Sequence, residues 1–158
     1  MTKSQKIRNR MRYWIKILNL KQIIILKEAT KKEKKEGMFS GYTERKNNKI
    51  IIGFNPNIIT LRNLSNHVDR VILHEIGHIL TKQEPGMNPK EKKISVTKEY
   101  RAEKYMLHIL YKYNMRLYKK VINYMKDFLS NEYSMYCFQY PEHYHAFCKV
   151  YNIKRIDI

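Results

Sequence analysis

Residues 74 to 78 read His74, Glu75, Ile76, Gly77 and His78, an HExxH pentapeptide inside the apolar stretch from Val71 to Leu80. Histidines four residues apart leave the same face of a helix. Both imidazoles can therefore meet one tetrahedral Zn²⁺, and Glu75 then stands beside a water on that ion. The chemistry such a trio performs is metal-assisted hydrolysis, with the glutamate as general base. So short a pattern also arises by chance, and its flanks are what give it weight. A surface helix with His and Glu turned to water needs no apolar neighbours, whereas a polar cluster on a buried helix is costly without a partner.

A catalytic ion of this kind takes three protein ligands and keeps one position open. Glu99 is the candidate for the third. The segment around it is helical in period, with Glu99, Ala102, Glu103, Met106, Leu110 and Tyr113 along one side. Glu99 can reach the ion, and Ala102 is small enough to let two helices approach. Glu103, one turn on, is placed to hold a ligand histidine from behind. Two other readings compete. In one, the glutamates are solvated or paired with Lys98 and Arg101; in the other, His108, His143 or His145 takes the third position. A metzincin site is excluded, because Thr81 and Glu84 stand where HExxHxxGxxH needs Gly and His.

HEIGH followed 21 residues later by Glu99 in an ExxAE pattern resembles the gluzincin metallopeptidases, whose third ligand is that glutamate. Compact peptidases of this type include the ImmA/IrrE-like enzymes and the anthrax-lethal-factor-like domains. The latter carry an oxyanion-stabilising tyrosine where this chain has Lys92. The former usually end the helix in a Leu-Leu-Met-Pro style, where this chain has Met106, Leu107, His108 and Ile109. HtpX-like peptidases share a similar ExxAD pattern but need transmembrane helices. Upstream, residues 37 to 54 resemble the strand pair ahead of the zinc helix, so the likeness extends over residues 37 to 113. It implies one Zn²⁺ per chain on His74, His78 and Glu99, with Glu75 as base and a protein or peptide as substrate. It also implies that an extended substrate pairs with the strand Lys49, Ile50, Ile51, Ile52, Gly53 and Phe54. An interior strand is the alternative, since so apolar a run also suits full burial.

A further donor must meet the oxyanion of the reaction, and the aromatic tail offers Tyr133, Tyr136, His143, Tyr144 and His145. The same tail sets Cys137, His143, His145 and Cys148 near one another in sequence, a second and structural metal set in principle. His67 lies on the helical face of His74, where a lone histidine is more often a cap or a surface residue.

The elements that must position these groups can be read from periodicity and breakers. Residues 5–19 form an amphipathic basic helix with Met11, Trp14, Ile15 and Leu18 inward, and strands occupy about 22–54. Asn47 and Asn48 turn a hairpin, and the KKEKKEG stretch from Lys31 to Gly37 reads as a charged turn or loop. The zinc helix spans about 64–81, the third-ligand helix about 97–114, and further helices fill 116–151. The expectation is a single α+β, zincin-like domain over residues 1–158, its small, mostly antiparallel sheet packed on the HExxH helix and the third-ligand helix.

Composition bounds the rest. A chain of 158 residues can bury one sizeable core, and no apolar run is long enough to span a bilayer. Lys16 and Lys21 interrupt the N-terminal apolar stretch that would pass for a signal peptide, and two cysteines without CxxC spacing fit a reducing compartment; the sequence reads as cytoplasmic. The formal charge of +18 makes a polyanion or nucleic acid a plausible partner, although biased lysine usage explains the same number. Two function classes follow: a zinc metalloendopeptidase, and a basic nucleic-acid-associated binding or regulatory protein whose metal site is structural or latent.

Overall fold

A computed structural model describes residues 1–37, 39–81, 96–131 and 141–154. Its elements in order are α1 (Lys3–Ile17), β1 (Ile24–Glu28), α2 (Lys31–Glu36), β2 (Gly41–Lys46), β3 (Lys49–Phe54), α3 (Val68–Leu80), α4 (Val96–Tyr113), α5 (Met115–Ser130) and α6 (Pro141–Tyr151). The fold class is α+β. The sheet is mixed rather than mostly antiparallel: in the order β1-β3-β2, β3 runs parallel to β1 and antiparallel to β2. The hairpin between β2 and β3 turns on Asn47 and Asn48, both with positive φ (46° and 54°), as a tight two-residue connection requires.

This order corrects the expectation for the substrate strand. Lys49, Ile50, Ile51, Ile52, Gly53 and Phe54 form the central strand, matched residue by residue to β1 on one side and β2 on the other. Its backbone is committed, and Ile50, Ile52 and Phe54 are core residues. Among the described residues, the outer strand that meets α3 is β2.

Helix boundaries also shifted for physical reasons. The charged KKEKKE run is a short helix, because Thr30 and Glu33 close a capping box at its start and Gly37 supplies the left-handed residue at its end (φ 62°). The HExxH helix begins at Val68, later than expected. Arg70 donates to the carbonyls of Leu64 (2.6 Å) and Ser65 (3.3 Å), which holds that stretch as a loop wrapped around its guanidinium. His67 is the N-cap, its Nδ1 accepting from the Asp69 amide at 3.2 Å.

One core joins the layers, with Trp14, Ile52, Phe54, Ile72, Leu73, Ile76, Met106 and Leu110 all fully buried. A half-buried ion pair fastens α1 to α3: Asp69 accepts from Arg10 Nε (2.6 Å), Arg10 Nη2 (2.8 Å) and Trp14 Nε1 (2.8 Å). Asp69 is almost sealed from water while Arg10 keeps part of its side chain in solvent, so loss of the carboxylate's partners is the costlier change, and this contact sets how α1 lies across the start of α3. No helix among the described residues is long and apolar enough to cross a membrane.

Glu28 links three elements, accepting from Lys34 of α2 and from Ser4 (2.6 Å) and Arg8 (3.3 Å) of α1. Lys34, then Ser4, holds its carboxyl below the ordinary carboxylate range. A lowered folded pKa gives stability that is present above the unfolded value and lost as pH falls through the folded one. Glu28→Gln is therefore expected to lower the thermal midpoint at neutral pH, with the gap to wild type closing below about pH 4. A gap that stays constant across the acidic range would remove the charge from the account.

Candidate metal centre

The helix α3 carries apolar residues nearly all round, with Val68, Val71, Ile72, Leu73 and Ile76 buried, so most of its polar residues must find partners within the protein. His74 and His78 stand one turn apart on the side that meets α4, their rings edge to face with centroids 4.9 Å apart. The two backbones come very close there. A Cβ placed on Gly77 would lie 2.7 Å from the carbonyl oxygen of Ala102 and 2.9 Å from its Cα. Only glycine opposite alanine permits that contact, and it delivers the α4 carboxylates to the histidines.

Glu99 Oε2 lies 3.0 Å from His74 Nε2, and Glu99 Oε1 lies 3.4 Å from His78 Nε2. One donor atom from each of His74, His78 and Glu99 falls within 4.8 Å of the others, the one group among the described residues able to hold a metal ion. Two imidazoles and a carboxylate form a donor set suited to a first-row divalent ion. The surroundings support that fit. Glu103 Oε2 is 2.8 Å from His74 Nδ1, the carboxylate behind a ligand histidine that fixes its orientation. His78 is 4% exposed, and its Nδ1 has no hydrogen-bond partner among the described residues.

Charge in the cluster is tightly coupled. Burial alone would raise the carboxyl of Glu99, but hydrogen bonds from His143, His74 and His78 outweigh it and hold that group well below the usual range. Burial would likewise lower His74, and the hydrogen bonds to Glu103 and Glu99 reverse this, leaving it well above an ordinary histidine. Both its ring nitrogens face carboxylate oxygens, which only an imidazolium satisfies by donating from both. A metal ion at Nε2 takes the place of one of those protons. Glu103 is 2% exposed and is met by Arg70 Nη2 (3.4 Å) and the Tyr151 hydroxyl (2.6 Å) as well as His74. Burial and the neighbouring Glu103 carboxylate push the Tyr151 phenol well above its ordinary value, which keeps it a donor.

Glu75 is turned away from the donor group and toward β2, where Thr43 Oγ1 donates to its Oε2 at 2.6 Å. Gly41 leaves room for it: a Cβ there would lie 2.7 Å from Val71 and 3.3 Å from the Glu75 side chain. Glu75, His74 and His143 open onto a cleft of about 500 Å³, bounded by Phe39 and Gly41 on one side and by Phe128 and Phe147 on the other.

Of the three described tail residues considered as oxyanion donors, His143 is the one the fold brings to the centre. Its Nε2 lies 3.2 Å from Glu99 Oε2, outside the group of three yet facing the cleft. Tyr144 is buried in the core at 3% exposure, and His145 does not line the cleft. Tyr133, Tyr136 and Lys92 lie outside the described residues, as does Cys137. With His143 beside Glu99 and Cys148 in the core, the described residues form no second metal group. Sequence reasoning missed Arg70, Tyr151 and Thr43. Only Arg70 carried a signal, as a lone cation in the apolar first turns of α3.

Comparison of the chain with protein-family models, with curated proteins and with solved structures gives no match in any of the three.

Glu103→Gln keeps the size of the side chain but removes the anion behind His74. Affinity for a divalent ion, read by competition with a chromogenic chelator, is expected to fall about 10–100-fold. An unchanged affinity in a variant that still folds would show that His74 is oriented by something else.

Proposed function

We propose that this chain is a zinc-dependent metalloendopeptidase that hydrolyses a peptide bond with Glu75 as general base. The observation that carries the reading is the division of labour on α3: His74 and His78 converge with Glu99, while Glu75 leaves that group for the cleft. A structural site is closed by four protein ligands, and among the described residues three converge here. Two histidines and a carboxylate also suit non-haem iron(II), but a further carboxylate held by Thr43 in the same cleft has a task in hydrolysis and none in that chemistry.

A zinc ion on these residues would polarise the scissile carbonyl and acidify a water. Glu75 takes the proton of that water and passes it to the departing amine, and the Thr43 hydroxyl holds the carboxylate at the cleft while it does so. His143, which lines the cleft from α6, would donate to the developing oxyanion. An extended substrate would lie along the outer strand β2 beside Glu75, with the cleft between Phe39 and Phe147 taking an apolar side chain. The closed set of contacts around Glu103 keeps α4 and α6 in register with the histidines, so substrate binds to a formed site.

The test is metal content and peptide-library cleavage measured together. Glu75→Gln is expected to retain one zinc per chain and to lose about 10²–10⁴-fold in cleavage rate. His143→Gln is expected to retain zinc and lose about 10²-fold in kcat with little change in KM, the pattern of a missing oxyanion donor. Zinc bound without cleavage by the wild type would reduce the site to a structural one, and a folded protein that binds iron in preference to zinc would remove the proposal.

A further inference from the structure

A second groove, about 640 Å³, lies between the Lys6–Tyr13 stretch of α1 and the first turns of α3 and α5, and it shares no lining residue with the cleft at Glu75. Its Lys and Arg residues are Lys6, Arg10, Arg116 and Lys120, and its one acid is Asp69. That acid is already spent: its carboxylate is bidentate with Arg10 and accepts from Trp14 as well. Lys6, Arg116 and Lys120 are exposed and form no ion pair among the described residues. The groove therefore concentrates positive charge that the protein itself does not neutralise.

Their placement sharpens the point. Arg116 sits in the first turn of α5 and Lys6 closes the first turn of α1, and neither turn contains an acid. A cation at the positive end of a helix dipole is disfavoured, and an anion bound there relieves both the dipole and the side-chain charges. The cleft offers no such field, because its one Lys or Arg is Arg70, held by Leu64, Ser65 and Glu103. Aromatic surface accompanies the charge. Tyr13 lines the groove at 44% exposure, and Tyr113, next to the lining residue Asn114 and against Trp14, is also 44% exposed.

We propose that this groove binds single-stranded nucleic acid, with Lys6, Arg116 and Lys120 on successive phosphates and Tyr13 and Tyr113 stacked against bases. Exposed phenol rings beside unpaired cations suit a strand whose bases are free to stack, while the paired bases of a duplex leave those rings without a role. The proposal is independent of the peptidase reading, and either can fail without the other.

The probe is a fluorescein-labelled oligothymidylate of about 15 nucleotides, titrated with the full chain by fluorescence anisotropy over a salt series. Two triple variants are compared: Lys6→Gln/Arg116→Gln/Lys120→Gln in the groove, and Lys27→Gln/Lys31→Gln/Lys46→Gln, which removes the same charge from exposed positions on β1, α2 and β2. The groove triple is expected to bind at least about tenfold more weakly, with a log–log salt slope smaller by about 2, from ~0.7 per lost phosphate contact. The control triple should stay within about twofold of wild type, and Tyr13→Ala/Tyr113→Ala should weaken binding at constant slope. Lys120→Gln alone carries the test should the groove triple not fold. Equal loss in the two triples, absence of binding by the wild type, equal or tighter binding of a duplex of the same length, or capture by phosphatidylserine vesicles in place of the oligonucleotide each overturns the proposal.

Discussion

Gly77 and Ala102 let the backbones of α3 and α4 approach until Glu99 and Glu103 are almost sealed from water, at 8% and 2% exposure. Two carboxylates so placed must be met by protons or cations, since an uncompensated buried charge costs several kcal/mol. The compensation comes from α3 and α6: Arg70 and Tyr151 on one oxygen of Glu103, His74 between the two glutamates, and His78 and His143 around Glu99. Each neighbour of this column thereby acquires a fixed position. The same contact that makes the fold expensive to assemble makes the donor atoms converge.

That column explains why α6 is part of the site rather than a remote tail. Tyr151 near its end donates to Glu103, and His143 near its start reaches Glu99, so one helix grips both carboxylates of α4 about two turns apart on its own axis. Phe147 lies between them in sequence and meets the His74 ring at right angles, with ring centroids 6.0 Å apart. A shift of α6 along its axis would break two charge-assisted hydrogen bonds at once, which fixes the wall of the cleft opposite β2.

What the sequence made legible was whatever repeats locally along one helix. His74 and His78 at i, i+4, and Glu99, Ala102 and Glu103 within one turn, could be placed on faces before any fold was known, because a helix converts spacing into direction. The Asn47–Asn48 hairpin was legible for the same reason. Pairings between distant segments were not. Thr43 meets Glu75 from 32 residues away, Arg70 meets Glu103 from 33, and Tyr151 meets Glu103 from 48, and nothing in the local pattern of those residues announces a partner. Strand order failed likewise: an IIIGF run fits an edge or a centre equally, and only pairing with both β1 and β2 decides it. The short helix over Lys31–Glu36 carried a readable capping box that an unbroken run of charged residues obscured.

Three contacts set the rotation of α3 about its axis, and rotation is what separates ligand from base. Asp69 is pinned by Arg10 and Trp14 of α1, Glu75 by Thr43 of β2, and Gly77 against Ala102 of α4. Successive residues on a helix turn by about 100°, so a histidine aimed at α4 obliges the glutamate after it to face elsewhere. In this fold, elsewhere is the outer strand and the cleft. Had α3 rolled by one residue, Glu75 would have joined Glu99 and Glu103 in the buried column as a third carboxylate, with His74 turned into the core where Leu73 now packs. The anchoring by α1, a helix that touches neither the donor group nor the cleft, is therefore as necessary to the geometry of the centre as the residues within it.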